Sequence, residues 1–201
     1  MYRRGDIYKT KPGRTYFFIA HPGNPEGSKF PQAIETYCNA LINTNGGLLV
    51  FGVDKERVVG FELSRSEEDL FKLSFDGAIK SMRPTIHPHQ YRLDVIYFDN
   101  FRRALFEIRI AAGELEEIYE NAMRKMFIVK EKQLYGPLVP CEITQIVLAK
   151  YKEELASLII ENNPRTITAP SPQKQQDNEK SNETDPTCPA KKSRSSPVTW
   201  P

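Results

Sequence analysis

The residues best placed for chemistry lie in the stretch 41–60, which reads LINTNGGLLVFGVDKERVVG. An apolar helix end is followed by Asn-Thr-Asn-Gly-Gly at 43–47, and Gly and Asn accept the left-handed backbone that a helix C-terminus requires. The continuous apolar run 48–51 predicts a strand that is covered on both faces. Asp54 stands at the exit of that strand. A lone carboxylate is a poor metal site, and an aspartate here is also typical of the start of a turn.

Basic residues are clustered, although the formal net charge of the chain is only +2. Residues 1–29 hold six Lys and Arg against two acidic residues, and two basic pairs follow at 102–103 and 124–125. Such clusters are typical of phosphate-binding surfaces and also of ordinary solvated surface. The candidate nucleic-acid-binding residues are Lys9, Lys11, Arg14, Arg102, Arg103, Arg124 and Lys125.

Three elements surround the 41–60 stretch. The aromatic and β-branched run 15–19 predicts a strand, and a helix is expected to start near Pro31, since proline suits a first turn. Ser64 and Glu67 have the spacing of a capping box, which predicts a second helix that ends near Met82. Its apolar residues cover a wide arc, so deep burial is expected for Leu70, Phe71, Leu73, Phe75, Ala78, Ile79 and Met82.

The second half of the chain predicts another antiparallel pair and a final helix. Residues 90–97 and 104–110 alternate as strands do, with Asp99 and Asn100 in their connection. We expect a short helix over 114–122, a short strand over 127–129 and a helix over 141–160. That last helix is predicted to turn Ile143, Ile146, Val147 and Tyr151 inward. The pattern as a whole predicts an α+β domain with a mostly antiparallel sheet and packed helices.

The predicted domain occupies residues 13–161, between a basic arm at 1–12 and a tail at 162–201. The tail is rich in Pro, Ser, Asn, Gln, Lys and Glu, and it holds too few apolar residues to offset the entropy of ordering, so disorder is expected. The three cysteines form no metal or disulfide pattern. The polar N-terminus does not suit a signal peptide, and no apolar run reaches spanning length. We therefore expect a soluble intracellular protein, cytoplasmic or nuclear, that does not enter a membrane.

The order of residues in 43–60 resembles the Schlafen AlbA-type domain. In that family a helix ends in Asn-Thr-x-Gly-Gly, followed by a Gly-Val-Asp strand end and a Val-Val-Gly return. The matching residues here are Asn43, Thr44, Gly46, Gly47, Gly52, Val53, Asp54, Val58, Val59 and Gly60. Weaker likeness at 82–88 and 134–138 extends the resemblance over about 13–155. It implies a single Schlafen lobe, as in the single-domain Schlafen-like proteins, and a role in RNA processing.

Catalytic members of this family have a site that is incomplete in this chain. Catalytic Schlafen domains cleave RNA with three carboxylates, two from a Glu-x(4)-Glu-Phe-Lys strand and one from Gly-Val-Asp; grouped carboxylates hold Mg²⁺ or Mn²⁺, which activates water. Here only Asp54 is present, because 13–19 reads Gly-Arg-Thr-Tyr-Phe-Phe-Ile. No cofactor is therefore expected, and Mg²⁺ or Mn²⁺ enters only if the protein is a nuclease after all.

Two further sites of the family are incomplete. Some Schlafens carry a structural zinc, and His87 and His89 stand where its first ligand pair would be, but the second pair has no counterpart; two ligands of four do not make a zinc site. The family has also been described as ATP-binding. The Asn-Gly-Gly of 45–47 offers backbone N–H groups to a phosphate, without the Gly-Lys-Ser/Thr of a Walker A loop.

These observations favour a non-catalytic, RNA-binding or partner-completing subunit of a nuclease complex. The expected partner is another Schlafen-like lobe, in a homomer or a heteromer. One alternative is an active metal-dependent endoribonuclease that uses carboxylates such as Asp54, Glu26 and Glu35. The other alternative is an ATP-binding regulatory module.

Overall fold

A four-stranded sheet is the centre of the fold. The computed structural model describes residues 2–100, 102–114 and 116–162. The strands follow the order β1-β2-β6-β5, with β1 parallel to β2 and the other neighbours antiparallel. Their bounds are β1 Tyr16–Ile19, β2 Gly47–Phe51, β5 Tyr91–Phe98 and β6 Arg103–Ile110. The α+β class with a mostly antiparallel sheet is therefore confirmed.

The first helical segment connects β1 to β2. It comprises α1 (Lys29–Ala33), a π-helical stretch (Ile34–Cys38) and α2 (Asn39–Ile42). It begins two residues before Pro31, which still lies in the first turn, where its missing N–H costs nothing. The π-helical stretch was not predicted, because apolar spacing alone does not separate it from an α-helix.

The second helix, α3 (Arg65–Lys80), begins as predicted. Ser64 accepts a hydrogen bond from the Glu67 backbone, and the Glu67 side chain accepts one from the Ser64 backbone, which completes the capping box. The predicted deep burial of its whole apolar arc is wrong at two positions: Leu70 is 39% exposed and Leu73 is 70% exposed. The sheet covers only one side of this helix, so residues at the edges of a wide arc remain in water.

Two small hairpins complete the sheet structure. One joins β3 (Val53–Asp54) to β4 (Arg57–Val58), and the other joins β7 (Ile128–Lys130) to β8 (Gln133–Tyr135). The second hairpin places the strand predicted at 127–129 one residue later. The helix predicted over 114–122 is wrong, since the described residues there form a turn and an extended segment. Arg83 and Glu120 exchange backbone hydrogen bonds of 2.9 and 2.6 Å and hold that segment against the loop after α3.

The basic arm expected outside the domain is partly built into it. Gly5 donates its backbone N–H to Val58 (2.7 Å), and Val58 donates to Asp6 (2.8 Å), so the arm pairs with the β3–β4 hairpin. Tyr8 is only 3% exposed and belongs to the smaller of the two apolar clusters. The prediction that the domain starts at residue 13 is therefore wrong, because a buried tyrosine anchors the arm.

The last helix, α4, runs over Pro140–Asn162. One compact unit of the chain ends at Ile143 and a second begins at Thr144. The predicted inward packing of Val147 and Tyr151 is wrong, as these side chains are 42% and 58% exposed. In the described part of the chain, no helix is both long and apolar enough to cross a bilayer. The predicted disordered tail lies outside the described residues, apart from Asn162.

Candidate nucleic-acid interface

Asp54 lies at the tip of a tight hairpin. It ends β3 and faces Arg57 across the hairpin, and the two residues between them have left-handed φ angles of 45° and 67°. Two consecutive left-handed residues are the mark of a type I′ turn, which matches the twist of the flanking strands. Asp54 is exposed. Its position is therefore that of the residue before the turn, the structural role that the sequence also allowed.

The other candidate metal ligands do not gather into one site in the described residues. Glu26 is exposed in a loop, whereas Glu35 is half-buried, and burial raises the pKa of its carboxyl group. His87 and His89 stack with ring centroids 5.7 Å apart. In the described ranges, no three His, Cys, Asp or Glu side chains gather into a group that would hold a metal ion.

The Asn-Thr pair of the 43–47 motif fastens one chain segment to the helix. The buried Asn43 amide donates to the carbonyl oxygens of Tyr119 (2.8 Å) and Phe127 (3.2 Å), and its oxygen accepts from the Tyr119 N–H (2.8 Å). Thr44 accepts from the Val129 N–H at 3.0 Å. These bonds satisfy backbone groups that the segment 119–129 does not pair within itself. The motif residues Asn43 and Thr44 therefore serve the fold.

Asn39 acts beside Asn43, although no role was predicted for it. Its side chain donates to the Tyr119 carbonyl and accepts from the Phe127 N–H, both at 2.8 Å. Asn39 is fully buried. The available signal was its spacing, because it lies four residues before Asn43 on the same helix face and interrupts an otherwise apolar stripe.

The motif glycines are required by close contacts. At Gly46, with φ of 69°, a Cβ atom would lie 2.5 Å from the Ile110 carbonyl oxygen. A Cβ at Gly60 would lie 2.3 Å from the Phe98 ring. The Gly46 N–H donates to the Leu41 carbonyl at 2.9 Å, so this group closes the helix and is not available to a phosphate.

Gly60 makes two hydrogen bonds, one to Gly52 and one from Arg103, a residue that was predicted to bind nucleic acid. The Gly60 N–H donates to the Gly52 carbonyl at 2.9 Å. The Arg103 guanidinium donates to the carbonyl oxygens of Val59 (3.2 Å) and Gly60 (3.1 Å). Arg103 is therefore committed to the fold, whereas its neighbour Arg102 is exposed.

A basic cleft of about 450 Å³ opens at one end of the sheet. It lies where β1, β2 and β5 begin and β6 ends, so residues distant in sequence meet there. The basic side chains that line it are Arg14, His89, Arg92 and Arg109. Its floor includes the backbone of Gly46 and Gly47. Among the described residues no carboxylate lines this cleft, so its own side chains attract anions.

Carboxylates beside the cleft orient two of its arginines. Arg92 Nε lies 2.7 Å from Asp94 Oδ1, and Arg109 lies 3.3 Å from Glu107 and 3.6 Å from Asp94. The Arg92 and Arg109 side chains remain 71% and 51% exposed. Pairs this exposed add at most about 1 kcal/mol to stability. These ion pairs hold the guanidinium groups at the sheet surface, where the groups remain accessible to a ligand.

Aromatic side chains continue the same face of the sheet. The strand register places Tyr16, Leu48, Arg109 and Arg92 in one row across the four strands. Tyr16 and Phe18 are half-buried and stack with centroids 6.0 Å apart. Half-exposed aromatic rings beside arginines are the usual elements of a single-strand binding surface.

The arm covers the centre of this face. The buried Tyr8 hydroxyl donates to Glu107 at 2.6 Å, and Tyr2 stacks on Tyr8 at a centroid distance of 5.5 Å. Burial, and then the hydrogen bond to Glu107, raises the pKa of the Tyr8 phenol. The phenol therefore stays protonated and serves as a fixed donor to a buried carboxylate.

Of the seven predicted nucleic-acid-binding residues, the structure places Arg14 in the cleft. Lys9 and Lys11 are exposed on the arm, and Lys125 is exposed in another loop. Arg124 pairs with Glu120 at 3.3 Å. His89 was considered only as a zinc ligand, and Arg92 and Arg109 were not selected at all, although all three line the cleft. The alternation of β5 and β6 already marked the two arginines as residues of one face, but only the strand register brings them opposite each other.

Comparison with known proteins adds little. No family model matches the sequence, and no curated protein matches it. Among solved structures, the DIP2311 protein from Corynebacterium diphtheriae is similar over 66% of this chain, with 17% identity and a TM-score of 0.44. This chain spans 26% of the length of that protein. A likeness of this size carries no functional argument.

Proposed function

We propose that this protein is a Schlafen-like RNA-binding subunit that does not supply hydrolytic chemistry of its own. The observation that carries the proposal is the basic cleft, in which three arginines and a histidine meet and no described carboxylate joins the lining. Arginine guanidinium groups bind phosphate through paired, charge-assisted hydrogen bonds. RNA is the preferred polyanion because of the resemblance of residues 43–60 to a family of RNA-processing domains.

The binding mode follows from the row of side chains beside the cleft. Phosphates are expected at Arg14, Arg92 and Arg109, and unpaired bases at Tyr16 and Phe18, which are half-buried with Tyr8 packed edge-on against both rings. Stacking tolerates any base, while phosphate contacts release counterions. We therefore expect weak, sequence-tolerant binding of single strands that decreases as the salt concentration rises.

The non-catalytic part of the proposal depends on the sequence. The strand that carries two glutamates in catalytic Schlafens is Tyr16–Ile19 here, and its residues are aromatic and apolar. Asp54, the only counterpart of the family's carboxylates, precedes a hairpin turn. We propose that any RNA cleavage is supplied by a partner chain, to which this protein presents the substrate.

Fluorescence anisotropy with a labelled single-stranded RNA tests the binding site. Arg92→Ala should weaken binding roughly tenfold, equivalent to about 1.4 kcal/mol, the size of one charge-assisted hydrogen bond. It should also reduce the slope of log affinity against log salt by about 0.7 for each phosphate that the variant no longer neutralises. Arg124→Ala is the matched control, because Arg124 is also exposed and paired with a carboxylate but lies outside the cleft.

Equal decreases of affinity in the two variants, or affinity that does not change with salt, would contradict this site. The same protein incubated with RNA and Mg²⁺ or Mn²⁺ tests the chemistry. We expect intact RNA. Metal-dependent cleavage that disappears in Asp54→Ala would replace the proposal with the endoribonuclease alternative.

A further inference from the structure

The last strand of the sheet, β5, has an open edge. It pairs with β6 on one side through eight consecutive register positions without a bulge. Its sequence, YRLDVIYF, contains no Pro, and its two charged residues, Arg92 and Asp94, have opposite signs, so they do not repel a strand with the complementary order of charges. The opposite edge strand, β1, has only four residues. A long and regular edge is a template for a strand whose charges complement its own.

The hydrogen-bond pattern shows which backbone groups face outward. Ala111 donates its N–H to the Gln90 carbonyl (2.7 Å), so Gln90 is directed towards β6. Alternation along an antiparallel strand then directs the backbone groups of Tyr91, Leu93 and Val95 away from β6. On the β6 side, Ala104 exchanges hydrogen bonds with Phe61 rather than with β5, which agrees with this assignment. In the described residues, the outward backbone groups of Leu93 and Val95 have no hydrogen-bond partner.

We propose that two copies of this chain pair through β5 in antiparallel orientation, about a two-fold axis at Leu93. The two-fold axis of such a pair must pass through a residue position. An axis between two residues would place a residue whose backbone groups face the second copy opposite one whose groups face β6. An axis at Arg92 or at Asp94 would set like charges directly opposite each other, which is destabilising.

An axis at Leu93 instead sets Arg92 of each copy opposite Asp94 of the other copy, which gives two pairs of opposite charge. These are non-hydrogen-bonded pairs, in which side chains come closest. The same register pairs the outward groups of Tyr91 with those of Val95 and adds on the order of six main-chain hydrogen bonds. The charge order around Leu93 is thus self-complementary, and this complementarity identifies a second copy as the occupant of the edge.

The other face of β5 also suits a second copy. Leu93 and Val95 pack against the main apolar cluster but remain partly exposed. In the pair each would meet an apolar side chain of the second copy, which removes their exposed area from water. The product is one continuous eight-stranded sheet.

Pairing would also bring the two basic clefts together, because Arg92 lines the cleft and lies one residue from the axis. That consequence depends on the proposed function, whereas the pairing does not. The experiment is therefore done without RNA, so that a failure of one proposal is distinguishable from a failure of the other.

Light scattering coupled to size exclusion, on the full chain at increasing concentration, measures the mass. We expect twice the 23.1 kDa of one chain. Asp94→Arg makes both charges around Leu93 positive and should weaken pairing at least tenfold. The double exchange Arg92→Asp with Asp94→Arg restores opposite charges across the axis and should restore the dimer. Asp76→Arg, an exposed site on α3 with the same change of charge, is the control.

Amide hydrogen exchange on the wild type provides evidence that does not depend on variants. The N–H groups of Leu93 and Val95 should be protected at high concentration and exchange faster on dilution. A monomer at 100 µM, a dimer that Asp94→Arg leaves intact, or a double exchange that stays monomeric would each overturn the proposal.

Discussion

The two faces of the central sheet carry different kinds of residues. Along β6, Phe106 and Ile108 are fully buried beneath the helices, whereas Glu107 and Arg109 alternate with them on the opposite face. The helix-covered face is a dry cluster of aromatic and aliphatic side chains. The opposite face combines a smaller apolar cluster with ion pairs and the basic cleft. The larger apolar cluster thus lies on one face, whereas the other face is partly covered by the arm and exposes its charged side chains at the edge of the sheet.

The largest loss of stability is expected from a substitution on the helix-covered face. The Phe106 ring packs against Phe30, Phe61 and Phe71, with centroid distances between 4.9 and 5.9 Å. Phe106→Ala should lower the free energy of unfolding by about 3–5 kcal/mol, because it leaves a cavity. Arg109→Ala, on the opposite face of the same strand, should cost under about 1 kcal/mol. Urea denaturation measures both, and similar decreases would contradict the contrast between the faces.

The second-largest loss of stability is expected from removal of the buried hydrogen bonds of the Asn43 side chain. Asn43→Ala should cost about 2–3 kcal/mol, because it removes the partner of the buried Tyr119 N–H and one of the two donors to the Tyr119 carbonyl, which keeps its bond from Asn39. Asn45→Ala, two residues away and exposed, should cost under about 0.5 kcal/mol. Thermal melts of the two variants give the comparison. A stable Asn43→Ala protein would show that water or another group replaces the amide.

A third, smaller effect concerns Tyr8 on the opposite face, and it is measured as the pH dependence of stability. The pKa of Tyr8 is raised in the folded protein, while tyrosines of the unfolded chain titrate near about 10. The contribution of the neutral phenol is therefore complete below pH ~10 and is lost as the pH rises above it. Tyr8→Phe should cost about 1 kcal/mol at neutral pH.

The same variant should lose less stability than the wild type between pH 9 and 11. Melting temperatures across this range measure the difference. Other tyrosines with raised pKa values titrate in both proteins, so only the difference between the two curves reports Tyr8. Parallel curves would show that the hydrogen bond to Glu107 does not stabilise the neutral phenol.

The smallest effect is expected at Asp54. Its side chain is exposed, so Asp54→Ala should change stability by under about 0.5 kcal/mol. RNA affinity should remain that of the wild type, since Asp54 does not line the cleft. Denaturation and anisotropy measure these quantities. A clear loss of RNA binding in Asp54→Ala would move the functional site to the β3–β4 hairpin.

Sequence patterns predicted most of the elements but not the relations between them. The capping box at Ser64 and the strands 90–97 and 104–110 are local or periodic signals, and the structure confirms them. The helix expected over 114–122 was wrong because its backbone bonds are satisfied by Arg83 and Asn43, which are distant in sequence. Leu73 was expected inside because apolarity indicates what can be buried, not how much of a helix the sheet covers.

The candidate site was harder to predict than the fold. Arg14 was selected from a basic cluster near the N-terminus, and the same criterion selected Arg103, whose guanidinium holds a turn. Arg92 and Arg109 have no basic residue next to them in the sequence, so no local cluster marked them. They become a site only when the register of β5 against β6 sets them opposite each other.

Local sequence signals therefore account for the local geometry: the glycine turn at 46–47, the buried strand after it, the capped helix and the alternating pair of strands. These follow from φ preferences, capping and periodicity, which act within a few residues. Three features arise only in the folded chain: the charges that meet in the cleft, the asparagines that hold the segment 119–129, and the strand that forms an open edge. Those outcomes depend on the order and register of the strands, and these are set by burial of the whole apolar surface rather than by any single segment.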